Sequence, residues 1–229
     1  MATTIEKTTL DFLNRLSKNN NREWFNKNKE LYLRAHENMI VFANALLAEM
    51  RKHDNIETAS GKDSLFRIYR DTRFSKDKTP YKTYWAGSFK RATKQLRGGY
   101  YFQIGPGGSL AAGGFFSPNP SDLKRIRQDI ELNFADWEKL LSNKAITKTF
   151  GPLKGEKLNT APRGFAKDSA GIAYIKHKQF YFERKFPDKV VLNPDFLKEL
   201  NQTFKNLRPY FDYMSEVLTT DLNGVSVIE

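Results

Sequence analysis

G-Y-Y-F-Q-I-G-P-G-G-S-L-A-A-G-G-F-F, residues 99–116, decides the fold. Two short runs of strand-forming residues, 99–104 and 109–116, flank a Gly105-Pro106-Gly107-Gly108 turn, so the stretch reads as a hairpin. A P-loop would need G-K-[ST] and a following helix, and neither is present. Working outward, residues 84–90 read as another strand. Residues 65–70 alternate, with Phe66 and Ile68 on one face and Leu65, Arg67 and Tyr69 on the other. Strands this close in sequence must pair largely antiparallel, because a parallel pair needs a long crossover.

Helical patterns lie on both sides. Leu10, Leu13 and Leu16 recur at helical spacing after a cap at Thr8 or Thr9. Asn19-Asn20-Asn21 breaks that helix and caps the next. A single long helix is expected over 22–52, with Trp24, Tyr32, Met39, Ala43, Leu46 and Met50 near one face. Downstream, Asn119-Pro120 opens a helix to about 133 with Leu123, Ile126 and Ile130 as its stripe, and 134–143 reads as another. Residues 151–171 are loop-rich and 180–186 form a strand. Asn193-Pro194 caps a C-terminal helix, which Pro209 kinks or ends. The expected fold is α+β: one domain over 1–229, helical in 5–53, sheet-forming in 64–117 and mixed in 118–222. A mainly antiparallel sheet is packed by N-terminal, central and C-terminal helices.

Eighteen Phe, ten Tyr and three Trp supply an ordinary core without staples. The absence of Cys excludes disulfides, thiolate zinc sites and cysteine nucleophiles, and suits a reducing compartment. Residues 1–10 carry Glu6 and Lys7 and no apolar h-region, and the longest apolar stretch, 39–48, is far short of a membrane helix. A cytoplasmic protein without a membrane partner is expected.

The net charge is +12, and its distribution is uneven. Residues 67–97 hold ten cations (Arg67, Arg70, Arg73, Lys76, Lys78, Lys82, Lys90, Arg91, Lys94, Arg97) against Asp71 and Asp77 alone. No acid occurs between Asp77 and Asp122. Such a surplus attracts anions. Its densest part, 67–82, reads R-I-Y-R-D-T-R-F-S-K-D-K-T-P-Y-K, with the skeleton R-x-x-R-D-x-R-F-x-x-x-K-x-x-Y. This resembles the signature of the bacterial domain-of-unknown-function family 2461. Similar likenesses occur at Asn20-Asn21-Arg22-Glu23-Trp24-Phe25, Gly99-Tyr100-Tyr101, Gly113-Gly114 and Pro162-Arg163-Gly164-Phe165. The resemblance covers nearly the whole chain and implies no established activity, substrate, cofactor or catalytic residue.

The chemistry must therefore come from the residues. Arg67, Arg70, Arg73, Lys78 and Lys82 can engage an anion, arginine as a planar fork and lysine as a mobile point charge. Asp71 orients the arginines by ion pairing, and neighbouring cations weaken it as a base. Tyr81 adds a hydroxyl, and Phe74 anchors the loop in the core. The candidate ligand is a phosphorylated metabolite or nucleic acid. The plainer alternative is a structural Arg-Asp-Arg knot that ties a loop to the sheet. Two further readings stay open: an enzyme acting on a phosphorylated or nucleic-acid substrate, with Asp71 or Glu183 holding a metal, and a non-catalytic protein that meets an acidic partner. Weaker signals add little. Lys90, Arg91, Lys94 and Arg97 are interleaved with Trp85, Phe89, Tyr100, Tyr101 and Phe102, aromatics that suit the core. Glu183-x-Lys185 with Asp168 is a short, common pattern that reads as a solvated strand face. His36, His53 and His177 lack metal spacing, and Lys176-His177-Lys178 reads as a solvated basic patch. No G-x-S-x-G is present.

Overall fold

The computed structural model of the chain describes residues 3–228. In chain order the elements are α1 (Lys7–Lys18), α2 (Arg22–Lys27), α3 (Lys29–Met50), α4 (Gly61–Ser64), β1 (Trp85–Lys90), β2 (Gly99–Ile104) and β3 (Ser109–Phe115). These are followed by α5 (Pro120–Leu132), α6 (Phe134–Leu141), α7 (Lys144–Phe150), α8 (Ile172–Ile175), β4 (Phe180–Phe186), α9 (Asp188–Val191), α10 (Phe196–Lys205) and α11 (Arg208–Thr219). The strands form one antiparallel sheet in the order β1-β2-β3-β4. The fold is α+β. Among the described residues no helix is long and apolar enough to cross a membrane.

The hairpin forms where the turn chemistry places it. Gly108 N donates to Gly105 O at 3.0 Å, and Gly107 takes a φ of 66° that a β-carbon would oppose. Along β2, Tyr100, Phe102 and Ile104 are buried in alternation.

The chain divides into two compact units. The first comprises 1–89, 101–111 and 185–202. Its core joins Leu10, Phe12, Leu13 and Leu16 of α1 to Met39, Phe42, Ala43, Leu46 and Met50 of α3, with Trp85, Phe89, Phe102 and Phe196. Thr8 and Thr9 lie inside α1 rather than capping it; Glu6 holds the N-cap position. The expected long helix is interrupted at Asn28, whose side chain donates to Trp24 O at 2.8 Å and whose backbone leaves the helical region. Asn21 does cap α2, accepting from Trp24 N at 2.9 Å.

Residues 65–70 are extended but do not make a continuous strand. They pair back antiparallel through isolated bridges, Leu65 with Gly87 and Tyr69 with Tyr81. The register shifts by two residues between the bridges, so residues 83–84 bulge and the ladder is cut. Pro80, which has no N–H, sits at its far end.

The second unit comprises 90–100, 112–184 and 203–229. Ile126 and Ile130 of α5 are buried with Trp137, Ile146, Phe180, Phe182, Tyr210, Phe211 and Met214. Asn119 caps α5, accepting from Asp122 N at 2.8 Å. Gly114, with φ 144°, lies so close to β4 that a β-carbon would stand 2.4 Å from Phe180 O. Pro209 occupies the first turn of α11, after α10 has ended.

Candidate functional site

Residues 66–82 form an arch in the first unit. Its two limbs are tied by Arg70 N donating to Pro80 O at 2.9 Å and Lys82 N donating to Ile68 O at 2.8 Å. Asn20 completes the base, donating through Nδ2 to Tyr81 O at 2.9 Å and accepting from Tyr81 N at 3.1 Å. The Tyr81 ring stacks on Phe25, with centroids 4.1 Å apart and planes 13° apart. Tyr81 is only 3% exposed, and burial, with Tyr69 adding to it, pushes its phenol up. Its position is the foot of the arch.

The arginines and acids of the motif are spent on the arch itself. The Arg70 guanidinium donates to the Asp77 carboxylate and to the Thr79 hydroxyl, closing the mouth of the loop. Asp77 Oδ1 also accepts from Thr79 N at 2.9 Å. That backbone donor first, and Arg70 next, hold the Asp77 carboxyl down at about 2. Asp71 binds Arg73 bidentately, Nε to Oδ1 at 3.0 Å and Nη2 to Oδ2 at 2.6 Å. This pairing, with the Arg73 backbone N–H and the charge of Arg67 behind it, lowers the Asp71 carboxyl, which makes it a poor base. Lys78 Nζ donates to Thr72 O at 2.8 Å across the loop. Lys82 Nζ donates to Arg67 O at 2.9 Å and lies 5.7 Å from the Phe66 ring centroid. Burial, then the charge of Arg67, lowers its ammonium.

The two acids are thus consumed by Arg70 and Arg73, and four cations remain over. Lys78 and Lys82 bond only backbone carbonyls here, while Arg67 and Lys76 are exposed with no ion-pair partner among the described residues. Phe74 overturns the expectation of a core anchor. It is 96% exposed at the tip, with the Arg73 guanidinium 5.9 Å from its ring centroid. The loop closes beneath it through polar bonds and leaves no apolar surface for it to enter. Phe66 and Tyr69 on the ascending limb are exposed as well.

A family model described as a conserved hypothetical protein (DUF2461) matches residues 8–213. The chain belongs to this family. No curated protein and no solved structure matches it. The matched span contains both the arch and the Asn20–Phe25 segment beneath it, two stretches far apart in sequence that the fold of this DUF2461 member brings into contact.

The rest of the basic run behaves differently. Arg91 is 1% exposed and donates to Arg97 O at 3.0 Å, Ser215 Oγ at 3.1 Å and Asp212 Oδ1 at 2.8 Å. Arg97 pairs with Asp122. These two cations hold the second unit together. The interleaved aromatics Trp85, Phe89, Tyr100 and Phe102 are core residues. Glu183 pairs with Lys154 at 2.9 Å, and among the described residues no group of three or more His, Asp or Glu is placed to hold a metal ion. His177 is not on a solvated patch: it is 1% exposed, with Nδ1 3.1 Å from Gln179 O and its ring against Tyr174 and Phe180. Residues missed from sequence are Asp77 and Thr79, which close the arch. The spacing Asp77-x-Thr79 was a usable turn signal.

Proposed function

We propose that the 66–82 arch binds an anionic ligand through phosphate groups. The observation that carries this reading is the uncompensated charge of Arg67, Lys76, Lys78 and Lys82 after Asp71 and Asp77 have been taken up inside the loop. A purely structural knot needs only as many cations as it pairs. The surplus on an exposed loop costs self-repulsion that a polyanion would relieve. The enzyme reading has less support, because Asp71 is locked to Arg73 and Glu183 to Lys154.

The test is a salt titration of binding to inorganic polyphosphate, wild type beside Arg67→Ala/Lys76→Ala/Lys78→Ala. Each phosphate contact contributes a slope of roughly 0.7 in log affinity against log salt for a single-stranded polyanion. Removing three should make the slope shallower by about 2. An unchanged slope would remove the arch as the anion site.

A further inference from the structure

Resting on that reading, we propose that the anion is a single-stranded nucleic acid, and that Phe74 is a side chain on which one of its bases stacks. The arch is ordered by its own bonds, from the Tyr69–Tyr81 bridge through Arg70–Thr79 to Lys78–Thr72, and Phe74 stands at the end of that order almost wholly in water. A phenyl ring held out this way forgoes burial unless a flat or apolar partner covers it. Its flanking residues specify the partner's charge: Arg73 lies against the ring, Lys76 follows two residues on, and Lys78 crosses the loop behind it. Two more exposed rings precede it on the same segment, Phe66 with Lys82 at 5.7 Å and Tyr69 at 53% exposure. Exposed rings alternating with uncompensated cations form the stacking-and-phosphate platform that single strands use without sequence readout. A duplex offers no free base face to such a ring, because its bases already stack on each other.

A phenyl beside lysines and arginine is also the chemistry of an interfacial membrane anchor. The arch disfavours that occupant. Asp71 and Asp77 lie within three residues of Phe74 and are about half exposed, at 49% and 58% of their side-chain surface. Sinking the ring into a bilayer would carry both half-exposed ion pairs out of water, whereas stacking needs only the ring face.

The experiment uses the full chain with four probes: labelled oligo-dT, the same length of oligo-rU, a duplex DNA of equal length, and vesicles of mixed phosphatidylcholine and phosphatidylserine, with inorganic polyphosphate as the charge control. The variants are Phe74→Ala, Phe74→Leu and Phe74→Trp. Phe74 touches no core residue, so all three should fold as the wild type. Single strands of either sugar should bind more tightly than duplex. Phe74→Ala and Phe74→Leu should each weaken them roughly ten-fold, since stacking requires a π-face. Phe74→Trp should restore affinity and show fluorescence quenching on binding. Polyphosphate affinity and its salt slope should not change with any of the three. If polyphosphate binds but single strands are indifferent to Phe74, the stacking assignment falls and the anion site stands. If polyphosphate does not bind at all, both fall. Vesicle binding lost in Phe74→Ala but kept in Phe74→Leu would replace the nucleic acid with a membrane surface.

Discussion

Arg91→Met separates the two kinds of cation that the basic segment contains. Arg91 is buried in the second unit, its guanidinium 5.3 Å from the Phe211 ring centroid. Methionine keeps the apolar stem and deletes the donors. Asp212 does not then become a stranded buried charge, because its side chain is 50% exposed and retains Arg208 at 3.2 Å. The ~3–5 kcal/mol expected for breaking a fully buried pair therefore does not apply in full. The Arg97 carbonyl loses a donor it accepts from at 3.0 Å, a part-buried bond whose loss costs ~1–3 kcal/mol. The space of the guanidinium adds a cavity term, so the total should be about 2–4 kcal/mol. For a chain of this size each kcal/mol moves the melting midpoint by roughly 2–4 °C, so a fall of roughly 4–16 °C is expected by calorimetry. Arg91→Lys should recover little, because an ammonium cannot serve three acceptors in a planar fork. The salt slope for polyphosphate should stay at its wild-type value. A midpoint within about 2 °C of wild type, or a slope as shallow as that of the triple arch variant, would refute the division of the basic run into structural and ligand-facing cations.

Two other perturbations probe the second unit and the histidines. Asp129, 3% exposed, accepts from Trp137 Nε1 at 2.6 Å, Tyr213 OH at 2.7 Å and Asn133 Nδ2 at 2.8 Å. Asp129→Ala orphans the buried Trp137 Nε1 and the part-buried Tyr213 hydroxyl, while the exposed Asn133 amide turns to water, and should cost about 2–5 kcal/mol in urea unfolding, given ~1–3 kcal/mol per buried unpaired group. A cost below about 1 kcal/mol would mean that water replaces the carboxylate. His36, stacked on Tyr32 and Trp85 at 5.5 Å from each, and buried His177 both have their pKa lowered from 6.5, in each case chiefly by burial. A histidine with a depressed folded pKa stabilises above its unfolded value and loses that contribution as pH falls toward the folded one. The melting midpoint should therefore drop as pH falls below 6.5, and less steeply in His36→Gln/His177→Gln; equal steepness in both proteins would remove these histidines as the cause.

Where a backbone rule acts alone, the sequence reading holds. The turn at 105–108, the Asn21 and Asn119 caps and the strand at 180–186 all appear as local chemistry requires. It fails where side-chain competition or register intervenes. Asn28 looks like one more polar residue in a long helix until its amide takes the Trp24 carbonyl. The 65–70 alternation is genuine, but a two-residue slip in pairing, invisible in one strand alone, breaks the ladder. Helices α7 and α9 are too short for a periodic pattern, although Asn143 caps α7 and Ile146 and Phe150 bury one face of it. Arg91, His177 and Phe74 invert the residue-type rule. Arg91 is buried because Ser215 and Asp212 of a distant helix accept from it, His177 because Tyr174 and Phe180 pack on its ring, and Phe74 is exposed because the bonds that close its loop leave no apolar surface for it to enter.

That inversion bears on how the motif should be weighed. Arg70, Asp71, Arg73 and Tyr81 invite reading as ligand contacts, yet each has an internal partner that explains its residue type: a fork for Asp77 and Thr79, a bidentate mate for Asp71, a ring for Phe25. Internal pairing accounts for these four without a ligand. It does not account for Phe74, which packs on nothing but Arg73, or for Lys76, which pairs with nothing among the described residues. A loop that served only to fold could replace both with small polar residues and lose none of its own bonds. The structural knot and the binding site are therefore not rivals for the same residues. The knot is the means by which two side chains of opposite hydration, an aromatic ring and an ammonium, are presented together to water.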